Sequence, residues 1–157
     1  MAFKTDLEVR ASRALKPRWY RAPQPDNPKF QASDYQHAAA EYCLPRNHAL
    51  IGDAPGVGKT AEAVLVDNAI RAKRTLVVCP ASLRLNWERE IWLWSTRRNV
   101  TTYPVFKSKD GISTVADFVI ISYALLANKS IFDAIMDLHW DHVILDEAHA
   151  LKDPQGS

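Results

Sequence analysis

An α/β fold built on a parallel sheet is what this sequence predicts, on three observations. Short β-branched apolar runs at Thr75-Leu76-Val77-Val78-Cys79, Phe118-Val119-Ile120-Ile121-Ser122 and His142-Val143-Ile144-Leu145 read as strands. Segments of helical composition separate them, as crossovers between parallel strands require. The runs are continuously apolar, which marks a sheet buried on both faces.

The chain of 157 residues is one domain's length and can bury a proper core. Its 47% hydrophobic and 24% charged residues are ordinary for a globular protein and argue against disorder or a membrane class. The first ten residues mix charged and apolar side chains and lack the apolar stretch of a secretory signal, so a cytoplasmic location is expected. Cys43 and Cys79 have no Cys or His nearby at metal-ligand spacing, and they read as buried free thiols.

Net charge is only +2, but residues 1–21 carry six cations against two acids, a local +4. Such an arm can touch phosphates or remain a solvated tail. Four of the nine prolines, Pro17, Pro23, Pro25 and Pro28, then crowd into a linker that opposes helix and central strand. The expected organisation is therefore an arm and linker over residues 1–30 and a folded lobe over 31–157.

Within the lobe, Ser33 to Leu44 reads as a short helix begun by a Ser33 or Asp34 cap. Ala49-Leu50-Ile51-Gly52 is an apolar run, read as a strand entering a glycine-rich turn. Thr60 to Ala72 is helical in composition. Ser82 is placed to cap a helix whose Leu83, Trp87, Ile91 and Trp94 recur at helical spacing, a stripe that signals core packing. Val100 to Phe106 reads as a short strand and Ser130 to Leu138 as a helix.

Three of the five glycines fall within Gly52-Asp53-Ala54-Pro55-Gly56-Val57-Gly58-Lys59-Thr60. Glycines let a strand-to-helix loop turn its N–H groups around an anion, and the helix N-terminus adds positive potential. This is a P-loop, with Asp53, Ala54, Pro55, Gly56, Val57, Gly58, Lys59 and Thr60 as its ATP-binding residues. Lys59 is expected on the β- and γ-phosphates and the Thr60 hydroxyl on Mg²⁺. Asp146 and Glu147 follow the last strand, at the carboxyl edge where doubly wound sheets bind ligands. Asp146 is expected to hold Mg²⁺ through water, and Glu147 to orient and deprotonate the attacking water.

Asp146-Glu147-Ala148-His149 is a literal DEAH box, and with the P-loop it makes the chain resemble superfamily-two helicases and Swi/Snf-type translocases. The Asp at position 53, where the strict P-loop pattern has glycine, is similar to the Swi/Snf branch. Tyr35-Gln36 resembles the glutamine motif, Val78 to Trp87 resembles motif Ia, Ile121-Ser122-Tyr123 resembles motif Ib, and Leu151-Lys152-Asp153 also looks familial. The resemblance covers roughly residues 30–153. It implies a P-loop NTPase with a RecA-like parallel sheet flanked by helices, here an incomplete first motor lobe truncated after the box. It further implies Gln36 on adenine, His149 as a coupling residue, and Ser82, Arg84 and Ser122 as contacts to a nucleic-acid backbone.

What the resemblance implies functionally is the ATP-binding lobe of a helicase or translocase that couples ATP hydrolysis to movement on DNA, expected to be double-stranded, once joined to a second lobe. In relatives that second lobe supplies arginines, and such arginine fingers are worth on the order of a thousandfold in rate. Little turnover is therefore expected of this chain alone. Ala54-Pro55 departs from the Swi/Snf loop and resembles AAA+ ATPases. The 87-residue separation of Lys59 and Asp146 fits the helicase pattern better. An AAA+ ATPase and a non-catalytic nucleotide- or DNA-binding remnant stay open as alternatives.

Overall fold

A computed structural model describes residues 15–52 and 58–148. The chain divides into two compact units. A helical unit comprises Met1–Arg71 and Glu90–Arg98, and a sheet unit comprises Ala72–Arg89 and Asn99–Ser157.

Four strands form the sheet unit: β1 (Thr75–Cys79), β2 (Thr102–Pro104), β3 (Phe118–Ser122) and β4 (His142–Leu145). They lie in the order β2-β3-β1-β4, all parallel, with Thr75 opposite Phe118 on one side and His142 on the other. β1 and β3 are buried throughout, which is why their sequences are unbroken apolar runs. Pro104 ends β2, on an edge of the sheet, where its missing N–H interrupts no inner ladder. β4 lies at the other edge among the described residues, with Val143 and Leu145 about half exposed. Asp141 ties its start to β1 by accepting the backbone N–H groups of Lys73 and Arg74 at 2.8 and 2.9 Å.

An apolar cluster packs on this sheet. Leu76, Val78, Val119 and Ile121 pack with Ile131 and Ile135 of a helix spanning Lys129–Met136. Burial of each such side chain stabilises by about 2 kcal/mol. That helix starts where the Asn128 side chain accepts the Ile131 N–H.

The helical unit holds α1 (Asp34–Cys43), α2 (Lys59–Ile70) and the final turn of α3 (Arg84–Trp94). In chain order α4 (Tyr123–Leu126) and α5, the Lys129–Met136 helix, follow. One apolar cluster of the helical unit joins Ala22, Ala40, Cys43, Leu65 and Val66. Polar clamps add to it. The Asn68 amide donates to the carbonyls of Pro23 and Trp94 at 3.0 and 2.8 Å and accepts the Thr96 N–H at 3.0 Å. Beside it, Arg97 meets the fully buried Asp67 at 2.5 Å.

Several elements differ from their expected form. Residues 49–52 form no strand; the run offers only Leu50 and Ile51 as strand formers, and Leu50 is 82% exposed. Ser82 is not a helix cap. It sits within a 3₁₀ turn, Ala81–Leu83, from which α3 continues directly. The expected strand from Val100 to Phe106 shortens to three residues, and the helix expected over Thr60–Ala72 stops at Ile70, where Arg71 turns left-handed at φ 54°.

Candidate nucleotide site

The described P-loop residues begin at Gly58, the N-cap of α2. Its backbone is left-handed, φ 85° and ψ 40°, a conformation that favours glycine. Space makes the same demand, because a Cβ here would stand 2.7 Å from the Gln36 amide nitrogen. Lys59 is therefore the first helical residue, half-buried, with Thr60 next to it. A helix N-terminus is a general binding point for anions. Asp53, Ala54, Pro55, Gly56, Val57 and His149, and the Leu151-Lys152-Asp153 segment, lie outside the described residues.

Gln36 is buried. Its carbonyl oxygen accepts the Ser33 N–H at 2.9 Å, capping α1, and its amide nitrogen lies 3.5 Å from the Gly58 carbonyl. The glutamine thus braces the start of α2 at Gly58. Next to it His37 is 2% exposed, and its Nδ1 has no hydrogen-bond partner among the described residues. Burial, then the charge of Arg21, holds its pKa below the usual histidine value, with Asp34 opposing.

In the sheet unit, Asp146 is held from three directions. Its N–H continues the β1 ladder by donating to the Val78 carbonyl at 2.8 Å. Its carbonyl accepts the Tyr123 hydroxyl at 2.7 Å. Its Oδ2 accepts the Trp87 indole N–H at 2.8 Å, leaving Oδ1 for another donor or a metal-bound water. The Tyr123 hydroxyl is pushed up to about 12 by burial first, then by the nearby Asp146 carboxylate, so it stays protonated and able to donate. Burial first, then Asp146, also pushes the Cys79 thiol up to about 12, which keeps it neutral and inert. Glu147 is exposed and adopts a left-handed backbone at φ 53°, unusual for a non-glycine residue.

Trp87 and Tyr123 were legible only as a core residue and as part of a motif. Apolar spacing marks Trp87 as buried, and it is 2% exposed, but nothing in a helical stripe reveals where an indole N–H points. Among the expected backbone contacts, Ser82 is exposed. The Arg84 guanidinium is engaged internally, donating to the carbonyls of Ala81 and Val105 at 3.1 and 2.8 Å and lying over the Phe106 ring. Ser122 is buried, and its Oγ accepts the Leu125 N–H as the cap of α4.

A profile of the SNF2-related domain matches residues 35–157. The chain belongs to the SNF2-related family. Similar proteins include the TATA-binding protein-associated factor mot1 of two strains of Aspergillus fumigatus, each 27% identical over 128 residues, 69% of this chain. The chain spans only 7% of the length of those relatives. Its fold is similar to the Sulfolobus solfataricus SWI2/SNF2 ATPase core solved in complex with dsDNA, with a TM-score of 0.71 and 23% identity. That match covers 87% of this chain and 30% of the solved one. The chain thus carries an SNF2-related domain, and its α/β architecture is the RecA-like one of that solved core. Among its described residues no helix is long and apolar enough to cross a membrane.

Proposed function

We propose that residues 31–157 form the ATP-binding lobe of a DNA translocase, with residues 1–30 as an appended arm, and that the chain moves on double-stranded DNA when a second lobe joins it. The observation that carries this reading is Gly58: its left-handed turn and its packing against Gln36 present Lys59 at the start of α2, as phosphate capture requires. Lys59 neutralises the β- and γ-phosphates of ATP, and Gln36 steadies the loop while reading adenine. Asp53 to Val57 belong to the loop by sequence motif.

Mg²⁺ would supply charge neutralisation and a bound water. The donors suit it: Thr60 offers a hydroxyl at the second position of α2, and Asp146 offers a carboxylate already oriented by Trp87. Glu147, as the second acid of a DEAH box, deprotonates the attacking water, and His149 couples the nucleotide state to later motifs. The dsDNA of the Sulfolobus complex supports a duplex track. Of the three expected backbone contacts, exposed Ser82 is the best placed to reach a phosphate, since the polar groups of Arg84 and Ser122 already serve the fold.

The test is calorimetric titration of Mg·ATP into the parent, Lys59→Ala and Glu147→Gln. Lys59→Ala should bind at least tenfold more weakly, whereas Glu147→Gln should bind as the parent does. Joined to a second lobe, Glu147→Gln should lose turnover. Equal ATP affinity in Lys59→Ala would refute the nucleotide assignment.

A further inference from the structure

The nucleotide reading leaves unused a cavity of about 640 Å³ in the helical unit, within the size range of small-ligand sites of about 300–1,000 Å³. It lies between the first described residues and the face of α1 that carries Ala38, Glu41 and Tyr42. Among the described residues its wall reaches Gly52, where the glycine-rich segment begins, but includes neither Gln36 nor Gly58.

Two features set this cavity apart from an ordinary surface hollow. Large apolar side chains stand open on it: Trp19 is 67% exposed, Tyr42 50% and Leu50 82%. Around them are three exposed cations, Lys16, Arg18 and Arg46. The one carboxylate among the described residues of the wall, Glu41, is turned to the backbone, accepting the N–H groups of Arg18, Trp19 and Tyr20 at 2.7, 3.1 and 3.1 Å. Burial alone would raise its pKa, but these bonds more than reverse that and hold it below the usual value. The Arg46 guanidinium stacks over the Tyr42 ring, 3.8 Å from its centre, and also donates to the Tyr42 carbonyl.

We propose that this cavity binds single-stranded nucleic acid, with bases stacking on Trp19 and Tyr42 and phosphates pairing with Lys16, Arg18 and Arg46. Charge complementarity selects a polyanion. The open aromatic faces then select one with exposed planar rings, because stacking on protein aromatics is the shared device of single-strand sites and a duplex keeps its bases stacked inside. The site needs neither ATP nor a second lobe, so it stands or falls apart from the translocase reading.

The experiment is fluorescence anisotropy of labelled oligothymidylate with the full chain, without ATP, across a salt series. Trp19→Ala and Tyr42→Ala should each weaken binding about tenfold, while Trp19→Phe, which restores a ring, should recover most of the loss. Arg46→Ala should flatten the slope of log affinity against log salt by about 0.7 for each phosphate it releases. Lys59→Ala should bind the oligonucleotide as the parent does, which separates this site from the ATP site. Circular dichroism checks the fold of each variant, and Trp19→Phe reports on the site if an alanine variant is unfolded. The proposal is overturned if the parent fails to bind at low salt, or if Trp19→Ala binds as well as Trp19→Phe. It is equally overturned if an abasic strand, a duplex of equal length or polyglutamate competes as strongly as oligothymidylate; the last outcome would mark a docking surface for acidic peptides.

Discussion

In the sheet unit, Val77, Cys79, Phe118, Val119, Ile120 and Ile121 are fully buried, and the only buried polar residues described there are Thr75 and Ser122. In the helical unit polar residues take a far larger share of the buried set: Gln36, His37, Glu41, Glu62, Asp67, Asn68 and Ser95 are all buried beside nine apolar residues. Apolar packing is non-directional and tolerates changes of shape, whereas buried polar groups must meet particular partners at particular angles. The sheet unit is therefore a platform. The helical unit is a directional frame around Gln36, Gly58 and Lys59, where an ångström of drift would matter most to the proposed capture of ATP.

The contrast can be broken most sharply at the buried ion pair. Arg97→Met leaves the Asp67 carboxylate buried without the guanidinium that meets it at 2.5 Å, and should cost about 3–5 kcal/mol in urea unfolding. A loss below 1 kcal/mol would mean that the helical unit does not depend on its polar network. Asn68→Leu comes next. It preserves volume but leaves the Trp94 and Pro23 carbonyls and the Thr96 N–H without this amide, for an expected loss of about 2–3 kcal/mol. By contrast Ile121→Val, in the middle of the apolar cluster, should cost only about 1 kcal/mol.

The smallest effect sharpens the comparison through pH. His37 has a folded pKa below its unfolded value of about 6.5, so the unfolded chain takes up the proton first. Stability present above about pH 6.5 is then lost as pH falls through that value toward the folded pKa. The urea midpoint of the parent should drop between pH 7.5 and 5.5 by more than that of His37→Leu. Equal drops would show that His37 is not the group responsible.

The inner strands were legible in the sequence because β1 and β3 are buried on both sides, which forces continuous apolar runs. β4 also coincides with its apolar run, although Val143 and Leu145 are about half exposed. β2 was harder to bound, since an edge strand of three residues ending in proline has little pattern to display. The run at residues 49–52 shows the opposite error. Its composition signals a strand, but a strand exists only through a partner ladder, and composition does not encode the partner. At the candidate site, the sequence signals Gly58, Lys59, Asp146 and Glu147 because phosphate chemistry would restrict residue type at fixed spacing, and of these Gly58 takes the left-handed backbone that such a loop needs. The supports were not legible: the Trp87 bond to Asp146 and the Tyr123 bond to its carbonyl join residues 59 and 23 positions apart. Ser122 illustrates a further limit, as a hydroxyl that suits a phosphate equally suits a helix cap.

Glu147 takes a backbone conformation that disfavours every side chain except glycine's, at φ 53°. Such strain costs on the order of 1 kcal/mol, which Glu147→Gly would recover in part while deleting the proposed general base. Directed evolution of this chain for thermal tolerance would therefore be drawn toward a substitution that disarms it. A library screened on melting alone would enrich inactive winners at this position, so any stabilisation campaign has to score turnover alongside heat resistance.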